Sequence, residues 1–436
     1  MEGNGNMKYG KILFALGASA LLLAACSEDK KTPEVEEEGQ AEEVKPDESD
    51  VAGATSEADD ALAELHAALE DREQTDEPVT ADNSKVLNPS IAEMTEGDVE
   101  VLYTNKAPNY THDMDGFIVT IDEYQITKVS DVNRDSESLF KGNLEGYVVT
   151  ALTTYENTRS NPVYYAGFMS LLMDDRYDVV YGDKYKLIPR ETALVSDDPA
   201  SVNKYPPGFK KQGLLSFVMT NEQYDKLATT NPKLIIEGGG SEREDMRESF
   251  REEAVFDFLY SGESEEAVAT GPAFYRDDLT NQNIANKTMI FEKTDIGQQL
   301  ELDGVKVTLE GVQYTEIEPT EQYKSTFRNF ADDGIVALTV KLSVDNQSEE
   351  TVRLDGIGSI LSVDDNDFRY LYQGSLEPDT SKKLEPGESG EKLHVFLMDK
   401  YQFDRHEKFE LNFGPFSAED GKKLFKGRDL VFKLPR

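Results

Sequence analysis

Residues 115–121 read Asp115-Gly116-Phe117-Ile118-Val119-Thr120-Ile121, and residues 303–309 read Asp303-Gly304-Val305-Lys306-Val307-Thr308-Leu309. The same parity is apolar in both: Phe117, Val119 and Ile121 answer to Val305, Val307 and Leu309. Alternation with a period of two puts one face of a strand against a core and leaves the other outside. Working outward, each copy is followed by a second alternating run, Tyr147 to Tyr155 and Val336 to Val344, which ends close to Asn157 and Asn346 respectively. Asn at a strand end is a turn signal, because its amide can bond the neighbouring backbone. Pro207-Gly208 and Pro386-Gly387 then each precede an apolar strand, Leu215 to Met219 and His394 to Met398. Last, Ala254 to Tyr260 corresponds to Asp429 to Leu434. Landmarks in the same order, separated by turn signals, define an internal repeat with about seven short strands per copy. The fold expected is mostly β: two tandem antiparallel β-sandwich domains at 95–262 and 285–436. A polar linker at 263–284, containing Gly271-Pro272, separates them.

The chain before the repeats has a different character. Lys8 and Lys11 precede an apolar run from Ile12 to Leu23, followed by Ala24, Ala25 and Cys26. Basic, apolar and small-residue regions in that order form a secretory signal, here residues 1–25. The run is shorter than the ~20 apolar residues a membrane-spanning helix needs. Residues 26–94 are rich in Glu, Asp, Ala, Thr and Pro, including Glu36-Glu37-Glu38. Such a segment cannot bury enough apolar surface to offset its ordering entropy, so a disordered, self-repelling acidic tether is expected. Within it Leu62, Leu65 and Leu69 share one helical face, which predicts a short helix at 56–73.

Leu23-Ala24-Ala25-Cys26 resembles the bacterial lipobox, in which the Cys thiol receives a diacylglycerol and becomes the mature N-terminus after cleavage. Cys26 is the only cysteine of the chain, so neither a disulfide nor CxxC redox chemistry can be built. The repeats, through the Asp-Gly turn, the strand ending at Asn157 or Asn346 and the Pro-Gly turn before Phe217 or Phe396, resemble the telokin-like, immunoglobulin-like extracellular domains of Gram-positive surface lipoproteins. Many of those domains have no known function. The resemblance implies an immunoglobulin-like sandwich and a protein held by lipid on the outer face of the cytoplasmic membrane. The absence of Trp and of a disulfide departs from antibody-type domains, whose core signature uses both.

Composition and motifs exclude several functions. A formal net charge of −41 repels phosphate backbones, so nucleic acid is not an expected partner. His66, His112, His394 and His406 form no HExxH and no zinc-ligand spacing. No GxSxG or P-loop occurs, and Gly238-Gly239-Gly240 lacks the Rossmann spacing. Asp131 to Glu137 opens like a calcium loop but has Ser136 at position six and Gly142 at position twelve, against the EF-hand pattern. The acidic turns Asp174-Asp175 and Asp364 to Asp367 occupy equivalent places in the two copies and read as hairpin turns.

No metal or cofactor is therefore expected. The reading is a non-catalytic envelope lipoprotein that presents its two domains as a binding or assembly module. An envelope hydrolase using carboxylates in one repeat is the alternative. The partners expected are the membrane, through the lipid on Cys26, and an envelope protein, peptide or glycan. For the ligand surface the first repeat stands out, with Tyr164, Tyr165, Tyr177, Tyr181 and Tyr205 as candidate contacts near Phe168 and Tyr185. Tyrosine offers a large contact area at low entropic cost, with a polar tip.

Overall fold

The computed structural model describes residues 86–436 apart from 175, 199–200, 331–332, 365–366 and 379–382. The signal sequence, Leu23, Ala24, Ala25, Cys26 and the helix expected at 56–73 lie outside the described residues.

The first repeat contains β1 (Asp98–Asn105), β2 (Tyr110–Met114), β3 (Phe117–Ser130), β4 (Gly146–Asn157), β5 (Val163–Tyr164) and β6 (Met169–Leu172). It continues with β7 (Val179–Tyr181), β8 (Lys204–Tyr205), β9 (Lys210–Met219), β10 (Lys233–Ile236) and β11 (Ala254–Asp257). The second runs through β12 (Ala285–Lys293), β13 (Gln298–Leu302), β14 (Val305–Pro319), β15 (Ile335–Asn346), β16 (Val352–Arg353) and β17 (Ser359–Val363). It ends with β18 (Phe368–Leu371), β19 (Lys383–Leu384), β20 (Ser389–Asp399), β21 (Phe409–Phe413) and β22 (Leu430–Leu434). Each repeat thus has more strands than the seven or so expected, the surplus being short pieces such as β5 and β8.

The topologies correspond strand for strand. The order β1-β3-β4-β9, with β2 added to β3, is repeated as β12-β14-β15-β20, with β13 on β14. The second sheet, β11-β10-β6-β7, returns as β22-β21-β17-β18, and the pair β5-β8 as β16-β19. In each repeat both sheets contribute to one apolar core. The first gathers Phe117, Tyr124, Phe217, Leu171 and Leu234; the second gathers Val305, Tyr314, Phe396, Leu361 and Phe409. The two cores share no residue.

The repeated Asp-Gly is a two-residue hairpin turn between β2 and β3, and again between β13 and β14. Asp115 and Gly116 have φ of 54° and 95°, Asp303 and Gly304 of 49° and 88°. Two successive positive φ values make the tight turn whose twist matches that of antiparallel strands. Both following strands also carry a bulge, between Ile121 and Glu123 and between Leu309 and Gly311. The extra residue switches the inward parity from Phe117, Val119 and Ile121 to Tyr124 and Ile126, so one strand keeps facing one core.

The strand-end Asn and the Pro-Gly turn form one hydrogen-bonded unit. Asn157 Nδ2 donates to the carbonyls of Tyr205 (2.9 Å) and Asn161 (3.0 Å), while the Gly208 N–H donates to the Asn157 carbonyl (3.0 Å). Asn346 Nδ2 likewise reaches Leu384 and Glu350 (both 2.8 Å), and the Gly387 N–H reaches the Asn346 carbonyl. Gly208 and Gly387 adopt φ of 74° and 92°, the left-handed conformation that a turn with Pro before it requires.

Two boundaries differ from expectation. Residues 86–94, assigned to the tether, belong to the first repeat: the helix Ser90–Thr95 packs Ile91 against Val129, Phe140 and Val148, on the outer face of the first sheet. The span 263–284 is not a plain linker. It holds the helix Gly262–Thr270 and the helix Asp278–Asn281, whose Leu279 is buried on the outer face of the second repeat. A buried Gln ties down each of these leading segments: Gln125 Oε1 accepts the Leu87 N–H and Gln313 Oε1 the Tyr275 N–H, both at 2.8 Å.

Candidate functional site

The five candidate tyrosines separate by burial. Tyr165 and Tyr205 are core residues, 1% and 0% exposed, packed with Phe117 and Tyr155. They are withdrawn from the ligand-contacting set because no ligand outside the fold can touch them. Tyr164 is half-buried in β5. Tyr177 and Tyr181 are exposed by 69% and 66%, and they are accompanied by Phe168 and Tyr185 at 57% and 53%. These four flank the β6–β7 hairpin at the edge of the second sheet of the first repeat, where Ser170 pairs with Tyr181. Arg176 covers the Tyr177 ring at 4.9 Å and donates to its hydroxyl at 2.6 Å. A guanidinium on an aromatic face fixes that ring and adds a cation to the surface. The second repeat exposes fewer large aromatics, Phe368 (40%) and Tyr401 (50%).

Three charged clusters lie deeper. At the junction of the repeats Asp257 of β11 accepts from Lys233 of β10 and from Arg276, each at 2.5 Å. Burial would raise the Asp257 carboxyl, but the Arg276 hydrogen bonds and the Lys233 charge outweigh it and hold the group below the ordinary carboxylate range. Burial pulls Lys233 below its ordinary value. A cleft of 610 Å³ opens here, walled by Lys233, Asp257, Phe274, Arg276 and the end of the helix Gly262–Thr270. Nearby, Asn231 and Asn283 bind the repeats together, the Asn283 amide donating to the Asn231 carbonyl at 2.9 Å.

Beside the junction Asp277 and Lys287 form a wholly enclosed pair. Their side chains are 0% and 2% exposed, Lys287 Nζ donates to both carboxylate oxygens at 2.6 Å, and Thr339 Oγ1 donates to Oδ2 at 2.6 Å. Asp277 also caps the helix Asp278–Asn281 by accepting from Thr280 N. The ion pair therefore fastens the leading segment of the second repeat to β12 and β15.

The last cluster joins Glu377 to Lys392 (2.8 Å) and to His394 Nδ1 (2.7 Å). His394 is fully buried between Tyr372 and Phe413, with ring centroids 4.9 and 5.4 Å away, and no described residue bonds its Nε2. Burial lowers the imidazole below its ordinary value. A carboxylate–imidazole pair is chemically suited to proton transfer, but this imidazole is sealed by rings, and its role here is to hold Glu377 against β20.

Asp364, of the acidic turn in the second repeat, is also spent on structure. Asp364 accepts from His406 Nδ1 at 2.7 Å and from the Lys408 N–H at 2.8 Å. Among the described residues no three His, Cys, Asp or Glu side chains converge as metal ligands. No helix among them is long and apolar enough to cross a membrane. The junction cluster was missed in the sequence, although Lys233 at the head of the apolar run Leu234-Ile235-Ile236 was a usable signal.

A family described as a domain of unknown function, DUF5068, matches residues 75–261, the span of the first repeat. No curated protein matches the chain. Among solved structures, a functionally unknown protein from Listeria monocytogenes is 20% identical with a TM-score of 0.34, covering 42% of this chain and 100% of its own. An uncharacterised β-sandwich protein from Clostridium difficile is 12% identical with a TM-score of 0.22, covering 32% and 94%. A protein from Bacillus subtilis described as a candidate lipoprotein is 21% identical with a TM-score of 0.23, covering 33% and 39%. None of these descriptions names an activity or a ligand.

Proposed function

We propose that this chain is a non-catalytic lipoprotein of the cell envelope, anchored through Cys26, whose first repeat binds an envelope protein, peptide or glycan. The observation that carries the reading is an asymmetry between two copies of one fold. The polar residues common to both, Asn157 and Asn346 or Gln125 and Gln313, are consumed in buried hydrogen bonds. The aromatics Phe168, Tyr177, Tyr181 and Tyr185 are more than half exposed and gather on the first copy. Exposed tyrosines at a sheet edge, with Arg176 on one ring, suit the apolar faces and hydroxyls of a sugar or a polypeptide surface.

The anchor and the surface are tested separately. Cys26→Ala should abolish incorporation of labelled palmitate and release the protein from the membrane; unchanged labelling would overturn the anchor. Tyr177→Ser with Tyr181→Ser, in the full chain, should keep the melting temperature and lose retention on purified cell envelope. Unchanged retention would remove the aromatic surface from the binding role.

A further inference from the structure

We propose that a polar pocket at the junction of the repeats binds a neutral oligosaccharide, seating one sugar ring among side chains drawn from both repeats. The inference rests on that pocket alone, so it stands or falls independently of the aromatic surface.

The pocket measures 280 Å³, just under the range of about 300–1,000 Å³ typical of small-ligand sites, which suits a single ring. The first repeat lines it with Asp174, in the turn between β6 and β7, and with 228–231, the turn between the helix Asn221–Lys226 and β10. The second repeat adds Asn283 and Asn286 at the start of β12 and Thr320 at the end of β14. Part of this polar lining is spent on structure. Asn283 Nδ2 donates to the Asn231 carbonyl at 2.9 Å, and Asn231 Nδ2 to Asn286 Oδ1 at 3.2 Å. The Thr229 and Thr230 hydroxyls donate to the Lys226 carbonyl, and the Thr320 hydroxyl to the Asn283 carbonyl at 3.0 Å. These bonds orient the side chains and leave a definite remainder. Among the described residues nothing bonds the Asp174 carboxylate, Asn231 Oδ1, Asn283 Oδ1 or Asn286 Nδ2.

That remainder selects the occupant. Acceptors outnumber donors, so the ligand must bring donors; Asn286 Nδ2 also needs an acceptor, which an ammonium lacks and a hydroxyl supplies. Of the residues lining the pocket only Ala228 is apolar, so a polypeptide side chain finds little apolar surface to bury against. Asp174, on a chain of net charge −41, repels phosphates and acidic sugars. A ring bearing several hydroxyls meets all of these conditions. The same three asparagines also line the 610 Å³ cleft, so a chain of sugars continues from the pocket towards Pro272 and the ring of Phe274, an apolar wall for pyranose C–H faces. The cations of that cleft are held within the fold, Lys233 and Arg276 by Asp257 and Lys287 by Asp277, so they place no demand for an anion on the occupant.

The test titrates the purified full chain by calorimetry with cellotetraose, maltotetraose and chitotetraose. Glucose and N-acetylglucosamine serve as single-ring controls, and putrescine and inorganic phosphate as charged ones. At least one tetrasaccharide should bind saturably, more tightly than its own monosaccharide, and should slow hydrogen exchange at the Asn231 and Asn286 amides. Asn286→Asp keeps the oxygen that accepts from Asn231 but replaces the unspent donor with an acceptor. It should weaken the sugar by about tenfold or more with an unchanged melting temperature, since a donor to the ligand is lost and an unpaired acceptor left in its place. Asp174→Ala should do the same; should it melt early, Asn286→Asp alone decides. Absent binding of all three tetrasaccharides, equal affinity in Asn286→Asp, or saturable binding of putrescine or phosphate in place of the sugars would each overturn the proposal. So would protection of the Tyr177 and Tyr181 amides without that of Asn231 and Asn286, since the sugar would then lie on the aromatic surface.

Discussion

At the scale of single residues, the buried amides of Asn157 and Asn346 and the buried imidazole of His394 make separable demands. With one side-chain nitrogen Asn157 reaches the carbonyls of Asn161, Tyr205 and Pro206, and Asn346 those of Glu350 and Leu384. Truncation to Ala removes the donor from the buried Tyr205 and Leu384 carbonyls, at about 1–3 kcal/mol for an unsatisfied buried group. Asn157→Ala and Asn346→Ala should each lower the urea midpoint by a comparable amount with an unchanged slope; a loss in one repeat only would mean the unit is not equivalent in both. His394 makes a different prediction. Burial lowers its folded-state value below that of the unfolded chain, near 6.5, so the unfolded state binds the extra proton first. Its contribution is present above that pH and is lost as the pH falls below it. Melting temperatures measured from pH 7.5 downward should fall more steeply in the native protein than in His394→Gln; parallel curves would refute the assignment.

At the scale of elements, the turns decide where strands end, and their glycines are not interchangeable. Gly208 and Gly387 need positive φ but have open space where a Cβ would stand, so Ala at either should cost about 1 kcal/mol from backbone strain alone. Gly238 has no positive φ, yet an added Cβ would sit 2.6 Å from the Glu252 carbonyl and 2.7 Å from that of Phe250. Gly238→Ala must force the segments following β10 and preceding β11 apart, and it should lower the melting temperature more than Gly208→Ala. The reverse order would show that this loop yields freely. The same elements explain what could be read in advance. Asp-Gly, strand-end Asn and Pro-Gly are legible because each answers a local backbone requirement that few residues meet. Tyr165 and Tyr205 were misplaced because tyrosine serves a core and a surface equally well. Alternation held the missing signal, since Tyr164 and Tyr165 are neighbours on an extended chain and cannot both face outward. The helix Ser90–Thr95 has no side-chain cap and six residues, too few for a periodic signature.

At the scale of the molecule, the separation of the cores raises the question of where an independently folding second repeat begins. The alternating strands start at Ala285, and a fragment of 285–436 contains every residue of the larger core of that repeat. Two features argue that this cut is too short. Lys287 is 2% exposed and its buried counter-charge is Asp277, so cutting between them leaves an ammonium enclosed without a partner. Breaking a buried pair from one side costs about 3–5 kcal/mol, a large fraction of the 5–15 kcal/mol that holds a domain together. The second feature is Leu279, 0% exposed, whose removal uncovers Phe327, Val395 and Leu397 on the outer face of the sheet. A fragment of 272–436 restores both, together with the Gln313 bonds to Ala273 and Tyr275. It should show a strand-dominated circular dichroism spectrum and a single cooperative melt. The fragment of 285–436 should melt lower by more than 10 °C, roughly the shift that several kcal/mol produces in a domain of this size. Adding Lys287→Met to the shorter fragment should recover part of that loss, because it removes the stranded charge without restoring the helix. Equal stability of the two fragments, or no gain from Lys287→Met, would place the boundary of the second repeat at β12 rather than ahead of Asp277.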